Sequence, residues 1–273
     1  MAEWIRDYKR YLELEEKSTA TIEKYLRDCR AFFSYLGKRK ITKEVTIGYK
    51  EYLVGRYAVS SINSMLTALN GFLRFIGKGH CCVKLMKVQR QMFCREEREL
   101  TQEEYKRLVK AAEGTRMALV LQTICGTGIR VSELQYITVA AVEAGKAVVQ
   151  CKNKTRVIFI PKTTQGLLKR YIRKAGVTRG SVFTTKGGKP LNRSNIWREM
   201  KALCTRARVN PRKVFPHNLR HLFARTFYSL ERDIVRLADL LGHSSINTTR
   251  IYTVEDGRDH RARLERVQMF LTT

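Results

Sequence analysis

Residues 241–253 read LGHSSINTTRIYT. This stretch sets His243 just past a helix that Gly242 ends, with Tyr252 nine residues on, among hydroxyls and an arginine. A core does not ask for that mixture; a reaction on a phosphate does. Three other settings are unusual. Arg130 follows Gly126-Thr-Gly128 at the end of an apolar run. His217 and Arg220, in PHNLRH, stand i, i+3 and share one helical face. Lys152 and Lys154 crowd a tight β-turn. Phosphoryl transfer needs a nucleophile, a proton donor for the leaving oxygen and positive charge on the non-bridging oxygens. Arginine suits the last task, because its planar fork bonds oxygens bidentately and stays protonated. Each residue also has an ordinary reading: a surface arginine, a histidine favoured by a helix C-terminus, solvated turn lysines, a packing tyrosine. Their occurrence in one chain argues for the chemistry.

That chemistry is expected to be metal-independent and to use no cofactor. Two-metal nucleases gather carboxylates, aspartates prominent among them, and here no Asp occurs between Asp28 and Asp233. His217 and His221 have the i, i+4 spacing of a zinc helix. Asn218, however, stands where an HExxH site needs its glutamate, and no third ligand is evident.

The 273 residues carry 53 Lys+Arg against 25 Asp+Glu, a formal net charge of +28. Such a field attracts polyanions, so nucleic acid is the first partner to expect. The apolar run Met117–Cys125 is broken by Gln122 and falls short of the ~20 residues that span a bilayer. The N-terminus is charged from Glu3, unlike a signal peptide. Seven cysteines without a CxxC fit reduced thiols in a cytoplasmic protein.

The elements that must position these groups fall into two domains. Residues 1–80 read as four helices. The second runs from a Ser18 or Thr19 cap through Ile22, Leu26, Cys29, Phe33 and Leu36 to Gly37, and the fourth repeats that stripe from Ile62 to Ile76. Such stripes close a small bundle. Lys24, Arg27, Arg30, Lys50, Arg56 and Arg74 on the opposite faces read as DNA-facing. Residues 81–98 lack periodicity and read as a basic linker. A capping box at Thr101–Glu104 starts the second domain, 99–273. The run from Ala140 to Pro161 alternates around two turns and predicts three short antiparallel strands. The rest is helical. The fold class is mainly α with a small antiparallel β-sheet.

Taken together, GTGIRVSEL, PHNLRHLFA, LGHSSINTTRIYT and a β-turn lysine between the first two resemble the tyrosine recombinases, or phage integrase family. The order Arg, Lys, His-x-x-Arg, His, Tyr matches, and the catalytic resemblance covers about residues 99–260. The four-helix front end resembles the family's core-binding domain, joined to an α+β catalytic domain. The resemblance implies site-specific recombination of double-stranded DNA. Tyr252 would attack the scissile phosphate to form a 3′-phosphotyrosyl link. Arg130 and Arg220 would clamp the non-bridging oxygens, and Lys152 would protonate the 5′-oxygen. His217 and His243 would donate hydrogen bonds, His217 taking the tyrosine proton, while Glu133 would buttress Arg130. Family members often carry a longer lysine turn, so the lysine is Lys152 or, one register on, Lys154. Tyrosine's ordinary pKa is ~10, and a ring of cations is expected to lower it.

The tail from Asp256 to Thr273 would pack onto a neighbour in a homotetramer on the DNA synapse. No membrane is implied, and the place is the cytoplasm, at the nucleoid. A start directly at the bundle leans toward a Xer-type or minimal mobile-element enzyme. Two other readings share the residues: a recombinase-like DNA-binding protein without chemistry, and a type IB topoisomerase-like enzyme.

Overall fold

The computed structural model describes residues 2–87, 99–151, 154–185, 187–252, 265 and 268–269, with the backbone alone at Ala2, Cys151 and Lys154. It divides into two compact units, Met1–Gln91 and Met92–Thr273.

The first unit is built on α1 (Ala2–Leu14), α2 (Thr19–Leu36), α3 (Lys43–Leu53) and α4 (Val59–Phe75). Ser18 caps α2 by accepting from the Thr21 amide, and Gly37, at φ +60°, ends it. The stripes read from the sequence form the core, with Phe32, Leu66, Phe72 and Leu73 fully buried. Each such side chain contributes about 1.5–3 kcal/mol of burial. Phe72 meets Tyr8 and Phe33 edge-on at centroid distances of 5.3 and 5.4 Å, a preferred aromatic geometry.

Two parts of this unit differ from the sequence reading. Residues 81–87, read as the start of a linker, are strapped to α4. Asn70 donates to the Val83 carbonyl (2.8 Å) and accepts from its amide (3.0 Å). Asn63 does the same for Met86, at 2.9 and 2.8 Å. A side-chain amide supplies the same donor and acceptor as a peptide, so the strap needs no periodicity of its own. Residues 88–98 lie outside the described residues. The basic face is also partly occupied within the unit. Lys24 and Arg27 flank the buried Asp28, Lys50 donates to the Lys84 carbonyl, and Arg56 lies over the Tyr52 ring.

The second unit runs α5 (Gln102–Ala111), α6 (Arg116–Thr127), a 3-10 turn (Val131–Tyr136), α7 (Val139–Ala144), β1 (Lys146–Cys151), β2 (Lys154–Phe159) and α8 (Lys162–Ala175). It continues with α9 (Arg193–Ala207), α10 (Pro216–Glu231), α11 (Ile234–Leu241), α12 (Ile246–Thr249) and a last turn, Arg250–Tyr252. The capping box at Thr101–Glu104 is formed at both ends. At the centre lies α6, with Val120, Leu121 and Ile124 fully buried. Among the described residues the sheet has two antiparallel strands, not three. The segment expected to give the first strand is α7, because the Thr138 hydroxyl caps it and left-handed Gly145 ends it. Over six residues an alternating pattern does not separate a strand from one turn of alanine-rich helix.

Candidate active site

Four of the six candidate catalytic residues line one open cleft of about 490 Å³: Arg130, His217, Arg220 and His243. They arrive from three places, the turn after α6, the helix α10 and the turn after α11, and the organising group is Arg220. Its side chain sits on α10, which Pro216 opens at a position where a missing amide costs nothing. The residue is 2% exposed. Its guanidinium donates to the Gly128 carbonyl (2.5 Å) and the Leu241 carbonyl (2.7 Å), and Nη2 stands 3.0 Å from His243 Nε2. One fork thus joins the ends of α6 and α11 to a histidine. Burial, with Arg130 nearby, brings the guanidinium down to about 10, still protonated near neutrality.

Both helix ends depend on glycine. Gly128 has φ +63°, and a Cβ there would meet the Phe223 ring at 2.5 Å. Gly242, also at φ +63°, ends α11 with the His243 amide donating back to the Ala238 carbonyl. His243 is then held at both ring nitrogens. Since Arg220 only donates, Nε2 accepts, so Nδ1 carries the proton and donates to Thr249 Oγ1 at 2.9 Å. Burial and the nearby guanidiniums push this imidazole down to about 4. His217, half-buried, is lowered by burial, Arg220, Arg193 and Arg130.

Arg130 is more open, with its side chain 40% exposed. Glu133 fixes it at two points, accepting from Nη1 and from the Arg130 amide, both at 2.9 Å. Arg130 Nη2 reaches toward the Gly242 carbonyl at 3.4 Å. Glu133 is 2% exposed. Burial alone would raise its carboxyl, but bonds from the Arg130 amide and the Arg156 and Arg130 guanidiniums hold it below the usual value.

Tyr252 is placed differently. It is 4% exposed and packs with Ala224, Leu237 and Leu241. Its ring meets His221 edge-on at 4.9 Å and lies parallel to His243 at 6.1 Å. The expected lowering of this phenol does not occur in the free protein. Burial raises it, and the pull of Arg220 and Arg130 in the other direction does not prevail. Lys152 lies outside the described residues. Lys154 opens β2, its backbone paired with Cys151.

Sequence reasoning missed four participants. Arg193 and Trp197, i, i+4 on α9, line the cleft. His221 sits between His217 (4.4 Å) and Tyr252, with burial pushing it down to about 4. Arg156 lies on β2 at the position paired with Val149. The signal for Arg156 was available: Ile158 and Ile160 face inward while Val157 and Phe159 are exposed, so alternation puts Arg156 on the inner face. A larger groove of about 720 Å³ between α5, α6 and α8 shares none of these walls. No group of three His, Cys, Asp or Glu side chains that could hold a metal ion occurs among the described residues.

Residues 98–258 match the family model described as the Phage integrase family, and residues 5–78 match the Phage integrase, N-terminal SAM-like domain. The Tyrosine recombinase XerA of Pyrococcus horikoshii is 28% identical over 277 residues, covering 98% of this chain and 94% of that protein. The Tyrosine recombinase XerD of Halalkalibacterium halodurans is 27% identical, covering 86% and 87%. Among solved structures, a lambda integrase(75-356) dimer bound to a COC' core site has a TM-score of 0.74 at 19% identity, covering 94% of this chain and 96% of that one. The XerH site-specific recombinase bound to its difH substrate in a pre-cleavage complex has a TM-score of 0.69 at 21% identity, covering 91% and 78%.

Proposed function

The chain belongs to the phage integrase family of tyrosine recombinases, and from that premise we propose how its own residues cut and rejoin DNA. The enzyme is a DNA strand transferase of site-specific recombination. In our reading the Tyr252 phenol oxygen attacks the scissile phosphorus. The bond from phosphorus to the 5′-oxygen breaks, and a 3′-phosphotyrosyl link remains. The phenol proton passes to His217, which is held neutral and so able to accept it. The departing 5′-oxygen takes its proton from Lys152, or from Lys154 one register on. Arg130 and Arg220 bond the non-bridging oxygens, with Glu133 fixing Arg130. Attack by the 5′-hydroxyl of another strand reverses the step, and the phosphodiester energy is conserved.

Two features of the free protein define what DNA must change. His243 Nε2 accepts from Arg220, so donation to a phosphate oxygen requires that contact to open and Nε2 to carry a proton. That proton comes either by tautomer exchange, with the Thr249 hydroxyl donating to Nδ1, or by protonation of the ring, which an arriving anion favours. The buried phenol must be carried outward by its short turn to reach phosphorus. A phosphate facing Arg130 and Arg220 then supplies the geometry in which phenolate formation is stabilised.

The observation that carries this reading is the buried Arg220 guanidinium bonded to His243 in the cleft that Arg130 and His217 also line. The N-terminal unit would add duplex binding and the C-terminal unit the chemistry. Four copies would assemble on two duplexes through the tail, which lies largely outside the described residues. No helix among the described residues is long and apolar enough to cross a membrane, and the work would be done at the nucleoid, in the cytoplasm. The biological role we favour is that of a Xer-type or mobile-element recombinase.

The test is a nicked suicide duplex made from a sequence selected from a random pool for tight binding. The wild-type protein should form a covalent adduct through the 3′-phosphate of the strand on the 5′ side of the nick, the short fragment that bears the 5′-hydroxyl being lost. No adduct on that duplex would favour a DNA-binding protein without chemistry. Relaxation of supercoils with no exchange between two sites would favour a topoisomerase-like enzyme. Binding should also weaken steeply with salt: ~6–10 phosphate contacts lose about 10³–10⁵ in affinity between 50 and 200 mM.

A further inference from the structure

Arg156 is a buried cation outside the cleft, and its bonds lead into the cleft from behind. Its side chain is 13% exposed. Nη1 donates to the Leu240 carbonyl at 2.7 Å, and Nη2 donates to Glu133 Oε2. Its stem lies against Gly242, where an added Cβ would meet Arg156 Cδ at 2.4 Å and Nε at 3.1 Å. The missing Cβ is what lets the turn carrying His243 close onto this side chain. Arg156 is not among the walls of the cleft, and both its terminal nitrogens are committed to protein acceptors, so its route to the site runs through its neighbours.

Those neighbours are two parts of the proposed machinery. We propose that Arg156 is a positioning residue that locks the turn before His243 and the Glu133–Arg130 pair into one rigid unit facing the phosphate. The inference rests on the strand-cleavage reading above. One carboxylate serves two guanidiniums. Arg156 and the Arg130 amide hold Oε2, which leaves Oε1 turned to Arg130 Nη1. Sharing the carboxylate also leaves the Arg130 charge less neutralised, and so available to a phosphate. Two acceptors in different directions need a planar fork; a lysine ammonium on a similar stem is a point charge that serves them poorly.

The experiment measures single-turnover adduct formation on the nicked duplex for wild type, Arg156→Met and Arg156→Lys. Each is run with an ordinary scissile phosphate and with a methylphosphonate, in which a methyl group replaces one non-bridging oxygen and removes the charge. Binding to the intact duplex and the melting midpoint are followed in parallel. Misplacing a reacting group by about 1 Å costs on the order of 10² in rate. We therefore expect Arg156→Met to cleave the phosphate about 10²-fold more slowly and Arg156→Lys about 10-fold more slowly, with binding changed less than about 3-fold. On the methylphosphonate the deficit should shrink to a few-fold, because less charge remains for a misplaced clamp to stabilise. Arg156→Lys fills the same space, so it carries the test if Arg156→Met does not fold.

Cleavage by both variants within about 2-fold of wild type would overturn the assignment. So would an equal deficit on the two substrates accompanied by a lowered melting midpoint, the signature of a purely structural residue. Absence of any adduct with the wild-type protein would instead remove the strand-cleavage reading beneath it.

Discussion

Among the described residues, each unit of this protein buries a carboxylate between two cations, and the two arrangements serve different ends. In the bundle, Asp28 is held by Lys24 and Arg27, its neighbours on the same helix, and Lys24 also donates to the Ser64 carbonyl at 3.3 Å. In the second unit, Glu133 is held by Arg130 and Arg156, and those cations go on to backbone carbonyls at Gly242 and Leu240. The first arrangement is local and ties α2 to α4. The second reaches across more than eighty residues of sequence and opens on a cleft with two histidines. A buried acid between cations is therefore no mark of a site by itself. The marks are distant partners and a cation left facing an open space.

The largest expected effect is at the end of the second arrangement. Tyr252→Phe should abolish covalent adduct formation while leaving duplex binding intact, as read on a denaturing gel. Residual adduct would mean that another nucleophile acts, and the cleft would lose its connection to Tyr252. Glu133→Gln comes next. It keeps the size but leaves Arg130 and Arg156 bonded to a neutral amide, and cleavage should fall about 10²-fold. The corresponding change in the bundle, Asp28→Asn, should cost about 1–3 kcal/mol of unfolding free energy. It should leave the cleavage rate of bound protein within about 2-fold of wild type. If Asp28→Asn slowed cleavage as Glu133→Gln does, the separation between the two arrangements would fail.

What the sequence disclosed follows the same division. The α2 and α4 stripes are legible because one face is apolar for many turns, with Ser18 and Gly37 marking the ends of α2 and Gly77 following α4. Arg130, His217 and His243 are legible because each stands within two residues of a punctuating residue, Gly128, Pro216 or Gly242, that fixes the backbone locally, and Arg220 because it shares a helical face with His217 at i, i+3. Features that arise only from long-range packing were not visible. Strand alternation gives the inward face of Arg156, but its partners Glu133 and Leu240 are not visible until β2 is folded under Gly242. The Asn63 and Asn70 straps look like polar residues on a helix until residues 81–87 lie beside them. The Tyr252 phenol illustrates the limit most clearly. Counting nearby cations gives one direction, and the burial that packing imposes gives the other.

Acidification should separate the units further. His221 and His243, each pushed down to about 4, belong to the second unit. A histidine whose folded pKa lies below its unfolded value of 6.5 destabilises the fold as pH drops from about 6.5 toward 4, because only the unfolded chain takes up the proton. Glu133, also lowered, works in the same direction below about 4.5. Between pH 7 and pH 5 the second unit should lose roughly 1–2 kcal/mol after allowance for solvent screening. Amide exchange on the full chain, corrected for its intrinsic pH dependence, should show α10 losing protection while α2 and α4 keep theirs. His221→Phe should flatten the loss in α10. Equal losses in both units would assign the acid sensitivity to net charge rather than to these rings.

The smallest effect is expected at Lys24, and it decides how far the two arrangements differ. Its ammonium lies 2.5 Å from Asp28, yet its side chain is one-third exposed. In Lys24→Met the aliphatic stem still packs, and Arg27 still bonds the carboxylate. Water reaches the vacated position, so the cost should stay below about 1 kcal/mol in a denaturant titration. The Arg156 side chain is only 13% exposed, and Glu133 beneath it is closed from water. A local, solvent-backed triad tolerates the loss of one member, whereas a buried one that spans several elements does not. If Lys24→Met cost as much as Asp28→Asn, the bundle triad would be as interdependent as the one behind the cleft. Burial of the acid would then govern the behaviour of both, and reach across the fold would not.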